Sequence, residues 1–191
     1  MKIIYIHGAT ASERSFAYIQ KSIRAKDPIY LNYEKHEQAG DNIKRMYDIL
    51  DNIDGPFSII AHSLGGVYAV YLQHEFGSAI ENVVSLATPF NGSEIAAWGA
   101  YLNPGYQLFQ DIAPSSKFIS ESRKLPITTN WTQVVTTIGD VPWISGSNDG
   151  IVTRKSMTCR DDVSYVEVDR NHYEVVLSKR VVDIIKKTVY K

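Results

Sequence analysis

Short runs of consecutive apolar residues alternate along this chain with segments whose apolar positions recur every three or four residues. Lys2-Ile3-Ile4-Tyr5-Ile6, Phe57-Ser58-Ile59-Ile60-Ala61 and Asn82-Val83-Val84-Ser85-Leu86-Ala87 are of the first kind, which suits strands buried on both faces of a parallel sheet. Ile29-Tyr30-Leu31, after the Asp27-Pro28 break, is a shorter strand, and Gln133 to Gly139 and Val163 to Val168 are two more. Between them the spacing predicts helices. Glu13 to about Arg24 carries Phe16, Ile19 and Ile23 on one face and has Ser12 as its cap. Asp41 to Asn52 carries Ile43, Met46, Tyr47 and Leu50. Val67 to Phe76 ends at Gly77, and Ser178 to Val189 turns Val181, Val182, Ile184, Ile185 and Val189 inward. This alternation predicts a parallel sheet with covering helices.

One stretch breaks the rhythm. From Ser93 to about Asn130 the chain holds Trp98, Tyr101, Leu102, Tyr106, Leu108 and Phe109 but no strand pattern, and about 35 residues is too long for a plain connection. One or two short helices lying across the sheet edge are expected there, where a lid or substrate wall would sit. No repeat, low-complexity tract or Pro/Gly-rich linker interrupts the chain. Its 191 residues therefore read as one domain, 1–191, with a cap-like insertion at about 93–130.

Composition narrows the function classes. With 44% apolar and 21% charged residues the chain is of globular type, and a net charge of -1 offers no electrostatic basis for nucleic acid or an anionic membrane surface. No run approaches the roughly 18 apolar residues of a membrane span. Cys159 is the single cysteine, which rules out an intramolecular disulfide and reads as a structural thiol in a polar loop. Met1-Lys2 lead straight into a strand without a basic-then-apolar leader, so a cytoplasmic location is expected. The histidines are dispersed and no loop spaces carboxylates for calcium, so no metal site is expected.

The candidate chemistry begins where the third strand ends. His62-Ser63-Leu64-Gly65-Gly66 takes a buried strand into a helix through a serine and two glycines, the pattern of a nucleophile elbow. A serine hydroxyl needs a base to take its proton and an acid to orient that base. Of five histidines, His172 alone lies in a loop just past the last strand, on the sheet edge where Ser63 must also lie. For the acid, Asp149, Asp140 and Asp169 all fall near the ends of late strands. An oxyanion needs two donors: the N–H of Leu64, opening the helix, and the N–H of Ala9, in the turn after the first strand. His7 then positions that turn, and His62 is a packing or hydrogen-bonding neighbour of the nucleophile.

Y-I-H-G-A at 5–9, A-H-S-L-G-G at 61–66, A-T-P-F-N-G-S at 87–93 and S-N-D-G-I-V at 147–152, with His172 beyond, resemble the α/β-hydrolase superfamily and, more narrowly, small bacterial lipases and esterases. Ala61 stands where the elbow usually has glycine. The resemblance spans nearly the whole chain. It implies a minimal α/β-hydrolase fold: about six mostly parallel strands, helices on both faces and a short helical cap. It also implies cleavage of small-molecule or lipid carboxylic esters without a cofactor, with Ser63 as nucleophile, Asp149 as acid, His172 as base, and Ala9 and Leu64 as oxyanion donors. His7, His62, Phe90, Trp98 and Tyr101 are the expected substrate contacts. Thioesterases, acyltransferases and amidases share this machinery, and a hydrolase scaffold can also serve as a non-catalytic binding module.

Overall fold

The structure is a computed structural model and describes residues 2–190, with Ala97 described by its backbone only. The apolar runs become six strands: β1 (Lys2–Ile6), β2 (Ile29–Tyr30), β3 (Phe57–His62), β4 (Ile80–Leu86), β5 (Asn130–Thr136) and β6 (Ser164–Val168). They form one sheet in the order β2-β1-β3-β4-β5-β6, every neighbouring pair parallel. The helices are α1 (Ala17–Ile23), α2 (Ala39–Leu50), α3 (Leu64–Phe76), α4 (Glu94–Leu102), α5 (Gln107–Ile112), α6 (Lys117–Ser122), α7 (Arg154–Met157) and α8 (Lys179–Val189).

β1, β3 and the later residues of β4 and β5 are buried because both faces of the sheet are roofed there. Successive side chains of a strand point to opposite faces, and β1 divides accordingly. Ile4 and Ile6 join a core with Ile43, Met46 and Leu50 of α2 and Val67 and Val70 of α3. Ile3 and Tyr5 join a second core with Ile19 and Ile23 of α1 and Val181, Val182, Ile185 and Val189 of α8. Each fully buried Val or Ile in these layers contributes about 1.5–3 kcal/mol against the entropy of ordering the chain.

Three elements depart from the sequence expectation by three residues or more. The turn Glu13–Phe16 is 3-10, and α1 follows it. The third helix begins at Leu64, three residues before the expected Val67, because the elbow carries Gly65 and Gly66 into the first turn despite their poor helix propensity. β5 starts at Asn130 and stops at Thr136, so Thr137, Ile138 and Gly139 lie beyond it.

Between β4 and β5 the rhythm-breaking stretch holds three short helices, α4 to α6. α5 and α6 pack Leu108, Ile112, Phe118 and Ile119 into the core shared with α2 and α3. The topology also creates a crevice. The chain leaves β1 to reach β2 on one side, and it leaves β3 to reach β4 on the other. The loops after β1 and β3 therefore diverge above the strands' C-terminal ends, where open α/β sheets bind ligands. Among the described residues, no helix is long and apolar enough to cross a membrane.

Candidate active site

Ser63 stands in that crevice, one residue past β3, with φ 51° and ψ −123°. A non-glycine residue in such a conformation carries strain of about 1–3 kcal/mol. The surroundings hold it there: the Ser63 N–H donates to the Leu86 carbonyl of β4 at 2.8 Å, and the Ser63 carbonyl accepts from Gly66 N–H at 2.9 Å. Gly65 allows α3 to start so low. A Cβ on Gly65 would lie 2.2 Å from the Ile6 carbonyl oxygen and 2.7 Å from that of His7. The close approach that demands glycine is thus between α3 and the end of β1.

Three expected residues meet. His172 Nε2 lies 2.9 Å from Ser63 Oγ, and His172 Nδ1 lies 2.8 Å from Asp149 Oδ2. All three side chains are buried. Burial opposes ionisation of Asp149, but hydrogen bonds from His172 and Thr136, the charge attraction of His172 and the Val152 N–H outweigh it, so the carboxyl sits below its ordinary pKa. The N–H groups of Ile151 and Val152 donate to its Oδ1 at 3.1 and 2.8 Å. A further backbone bond, His172 N–H to the Asp149 carbonyl at 3.1 Å, ties the two loops together.

The two rival acids have other partners. Asp140 accepts from the Asn148 N–H at 2.7 Å and so braces the loop that carries Asp149. Asp169 accepts from the Thr137 hydroxyl at 2.9 Å. Asn148 completes the brace, its Oδ1 accepting from the N–H groups of Val141 and Gly150.

Leu64 is the first residue of α3, so its N–H has no intrahelical partner and shares the helix's positive end. Ala9 lines the same cavity, and among the described residues no backbone carbonyl accepts its N–H. His7 does not reach the cavity. Its ring stacks on Tyr33 at 4.4 Å, its Nδ1 meets the Gly8 carbonyl at 2.9 Å, and the Tyr33 hydroxyl donates to the His7 carbonyl at 3.0 Å. Burial lowers its pKa.

The cavity over Ser63 has a volume of about 320 Å³. Its floor is Ser63, His62 and His172, and its walls are apolar, notably Ile95 of α4, Phe109 and Ile112 of α5, Val152 and Val176. No charged side chain of the described residues lines it. Of the expected substrate contacts, only His62 does. Phe90 is buried against Trp131, outside the cavity. Trp98 and Tyr101 are 70% and 81% exposed on the outer face of α4. Ile95 and Ala96 fill the wall position those aromatics were expected to take.

Thr136, the oxygen donor to Asp149, went unnoticed in the sequence, where nothing separates it from Thr132 or Thr137. The role of Asn148 was equally unmarked.

Sheet order, parallel pairing and the elbow define the α/β-hydrolase fold, and solved structures agree. A mature-form lipase from Bacillus licheniformis is similar with a TM-score of 0.78 and 16% identity, over 97% of this chain and 90% of that one. A metagenomic carboxyl esterase gives 0.73 and 13%, over 90% of this chain and 64% of the esterase. An α/β superfamily hydrolase from Oenococcus oeni gives 0.66 and 12%, over 100% and 93%. No family model matches the sequence, and no curated protein matches it either.

Proposed function

We propose that this protein is a serine hydrolase that cleaves carboxylic esters through an acyl-enzyme on Ser63. The observation that carries the reading is the continuous hydrogen-bonded line Ser63 Oγ–His172–Asp149 at the floor of an apolar, uncharged cavity. The similarity to a lipase and a carboxyl esterase, at low identity, supports the same class.

In this reading Ser63 Oγ attacks the ester carbonyl carbon while His172 Nε2 takes its proton. Asp149, ionised, fixes the Nδ1–H tautomer and stabilises the imidazolium. The carbonyl oxygen becomes an oxyanion between the N–H groups of Leu64 and Ala9. As the tetrahedral intermediate collapses, the ester C–O bond breaks and His172 protonates the leaving alcohol. Water, deprotonated by His172, then attacks the acyl carbon, the bond to Ser63 Oγ breaks as His172 returns the proton to Oγ, and the acid is released. No cofactor enters these steps. The cavity is at the small end of the range for small-molecule sites, and α4 and α5 supply its outer wall. An uncharged acyl group of modest size is the substrate portion it suits.

A fluorophosphonate probe tests the reading directly. The expected outcome is one covalent adduct at Ser63, located by peptide mass spectrometry, and loss of p-nitrophenyl ester hydrolysis in Ser63→Ala. Folded protein that resists the probe, or Ser63→Ala that keeps its esterase activity, refutes it.

A further inference from the structure

His62 takes no part in the steps above, yet its ring stands between the loops that carry them out. It is buried, and its Nε2 lies 2.9 Å from the backbone carbonyl oxygen of His172, 110 residues along the chain. A carbonyl only accepts, so this nitrogen carries the proton and Nδ1 is the bare one. Nδ1 is buried with no hydrogen-bond partner among the described residues. That edge of the ring faces the turn after β1 with no room for a side chain between them: a Cβ at Gly8 would lie 2.9 Å from Nδ1 and 3.3 Å from Cε1. One ring therefore touches the base-bearing loop after β6 and the donor turn after β1, and it is joined through its own backbone to Ser63.

We propose that His62 is a positioning residue, which sets the distances of both His172 and the Ala9 turn from Ser63 by donating Nε2–H to the His172 carbonyl and bearing on Gly8. The proposal rests on the serine-hydrolase reading. His62 exchanges no proton in the reaction. Burial and then the neighbouring His172 hold its pKa down at about 3, with His7 acting in the same direction and the hydrogen bond to His172 and the charge of Asp149 opposing. A neutral ring is what the place requires, because the two imidazoles are 5.1 Å apart and His172 becomes cationic in each half-reaction. A second cation there would repel it.

Two variants separate the roles. His62→Phe keeps a ring without a donor, and His62→Gln keeps an N–H near the position of Nε2. Three readouts follow each: kcat and KM on a p-nitrophenyl ester, the rate of fluorophosphonate labelling, and the downfield proton resonance of the His172 Nδ1–H bonded to Asp149. His62→Phe is expected to lower kcat and labelling about 10- to 100-fold, with KM little changed and the resonance broadened. His62→Gln is expected to recover most of all three. Should His62→Phe not fold, His62→Asn replaces it, since its shorter amide does not reach the carbonyl. Unchanged kcat in His62→Phe overturns the proposal. So does a loss that His62→Gln fails to restore together with a shifted acid limb of kcat/KM, which would make His62 a proton carrier. Wild-type protein that resists the probe refutes the hydrolase reading and this proposal with it; a labelled wild type beside an unaffected His62→Phe refutes this proposal alone.

Discussion

Gly65→Ala adds one methyl group where the nearest neighbours are main-chain atoms that cannot step aside. The new Cβ would lie 2.2 Å from the Ile6 carbonyl oxygen and 2.7 Å from that of His7, both main-chain atoms. No rotamer change relieves a clash with backbone. The shorter distance falls about 1.2 Å below the 3.4 Å at which ordinary contact begins, so α3 and the end of β1 must part by about that much. Overpacking of this kind costs about 1–3 kcal/mol, and replacing glycine by alanine in a helix returns about 1 kcal/mol. The net loss of up to about 2 kcal/mol lowers Tm by up to about 8 °C in a chain of this size. The chemistry should suffer more. Leu64 N–H moves with α3 while Ala9 stays with β1, and a displacement of about 1 Å at a reacting centre costs about 100-fold in rate. The assay is a pair of measurements, thermal unfolding by circular dichroism and initial rates on a p-nitrophenyl ester. Gly40→Ala in the first turn of α2 is the matched control, because no heavy atom lies within 4 Å of its added Cβ. That control should keep its kcat and gain up to about 1 kcal/mol. If Gly65→Ala matches wild type in both Tm and kcat, the contact between α3 and β1 does not set the position of the proposed oxyanion donor, Leu64 N–H.

Two further outcomes are expected. Asp149→Asn keeps the size of the side chain but presents an amide to His172 Nδ1, favouring the wrong tautomer, and should lower kcat about 1,000- to 10,000-fold; a loss under tenfold would mean that another carboxylate does the work. Burial lowers the His62 pKa from 6.5 to about 3, so between those values the unfolded chain takes up a proton that the folded protein refuses. The contribution of His62 to stability is then whole above pH 6.5 and shrinks as the pH falls toward 3. Urea unfolding near pH 7 and near pH 4.5 should differ by about 1–3 kcal/mol, a difference that His62→Gln reduces. Equal stabilities at the two pH values would contradict the burial of a neutral His62.

The parts of the fold most legible in the sequence are those buried on both faces. β1, β3 and the second half of β4 have little or no solvent side, so apolar residues dominate them. β5 lies three residues earlier than its β-branched pattern predicts. Thr137 and Ile138 prolong its β-branched pattern past the point where the chain departs, while Asn130 hides its start. The elbow was legible because strand end, serine and paired glycines fall together within five residues. The substrate wall was not. By helical spacing Ile95, Trp98 and Leu102 share one stripe of α4, yet only its Ile95 end lines the cavity while Trp98, Tyr101 and Leu102 are exposed. Which apolar face of a short helix turns inward depends on the helices beside it, and local spacing carries no record of them. Thr136 and Asn148 escaped for the same reason, since their importance comes from a partner 13 residues away in one case and from a folded loop in the other.

The bond between Ser63 and His172 joins residues 109 positions apart, and that between His62 and His172 spans 110. Contacts of such long sequence separation are the slow ones in folding. A growing chain that has emerged only as far as β5 holds Ser63, the elbow and Thr136, but neither Asp149 nor His172. On the proposed mechanism such a fragment lacks the pair that activates Ser63. Covalent labelling of that serine therefore times the docking of β6 and the loop behind it, and it dates the completion of the molecule during synthesis or refolding.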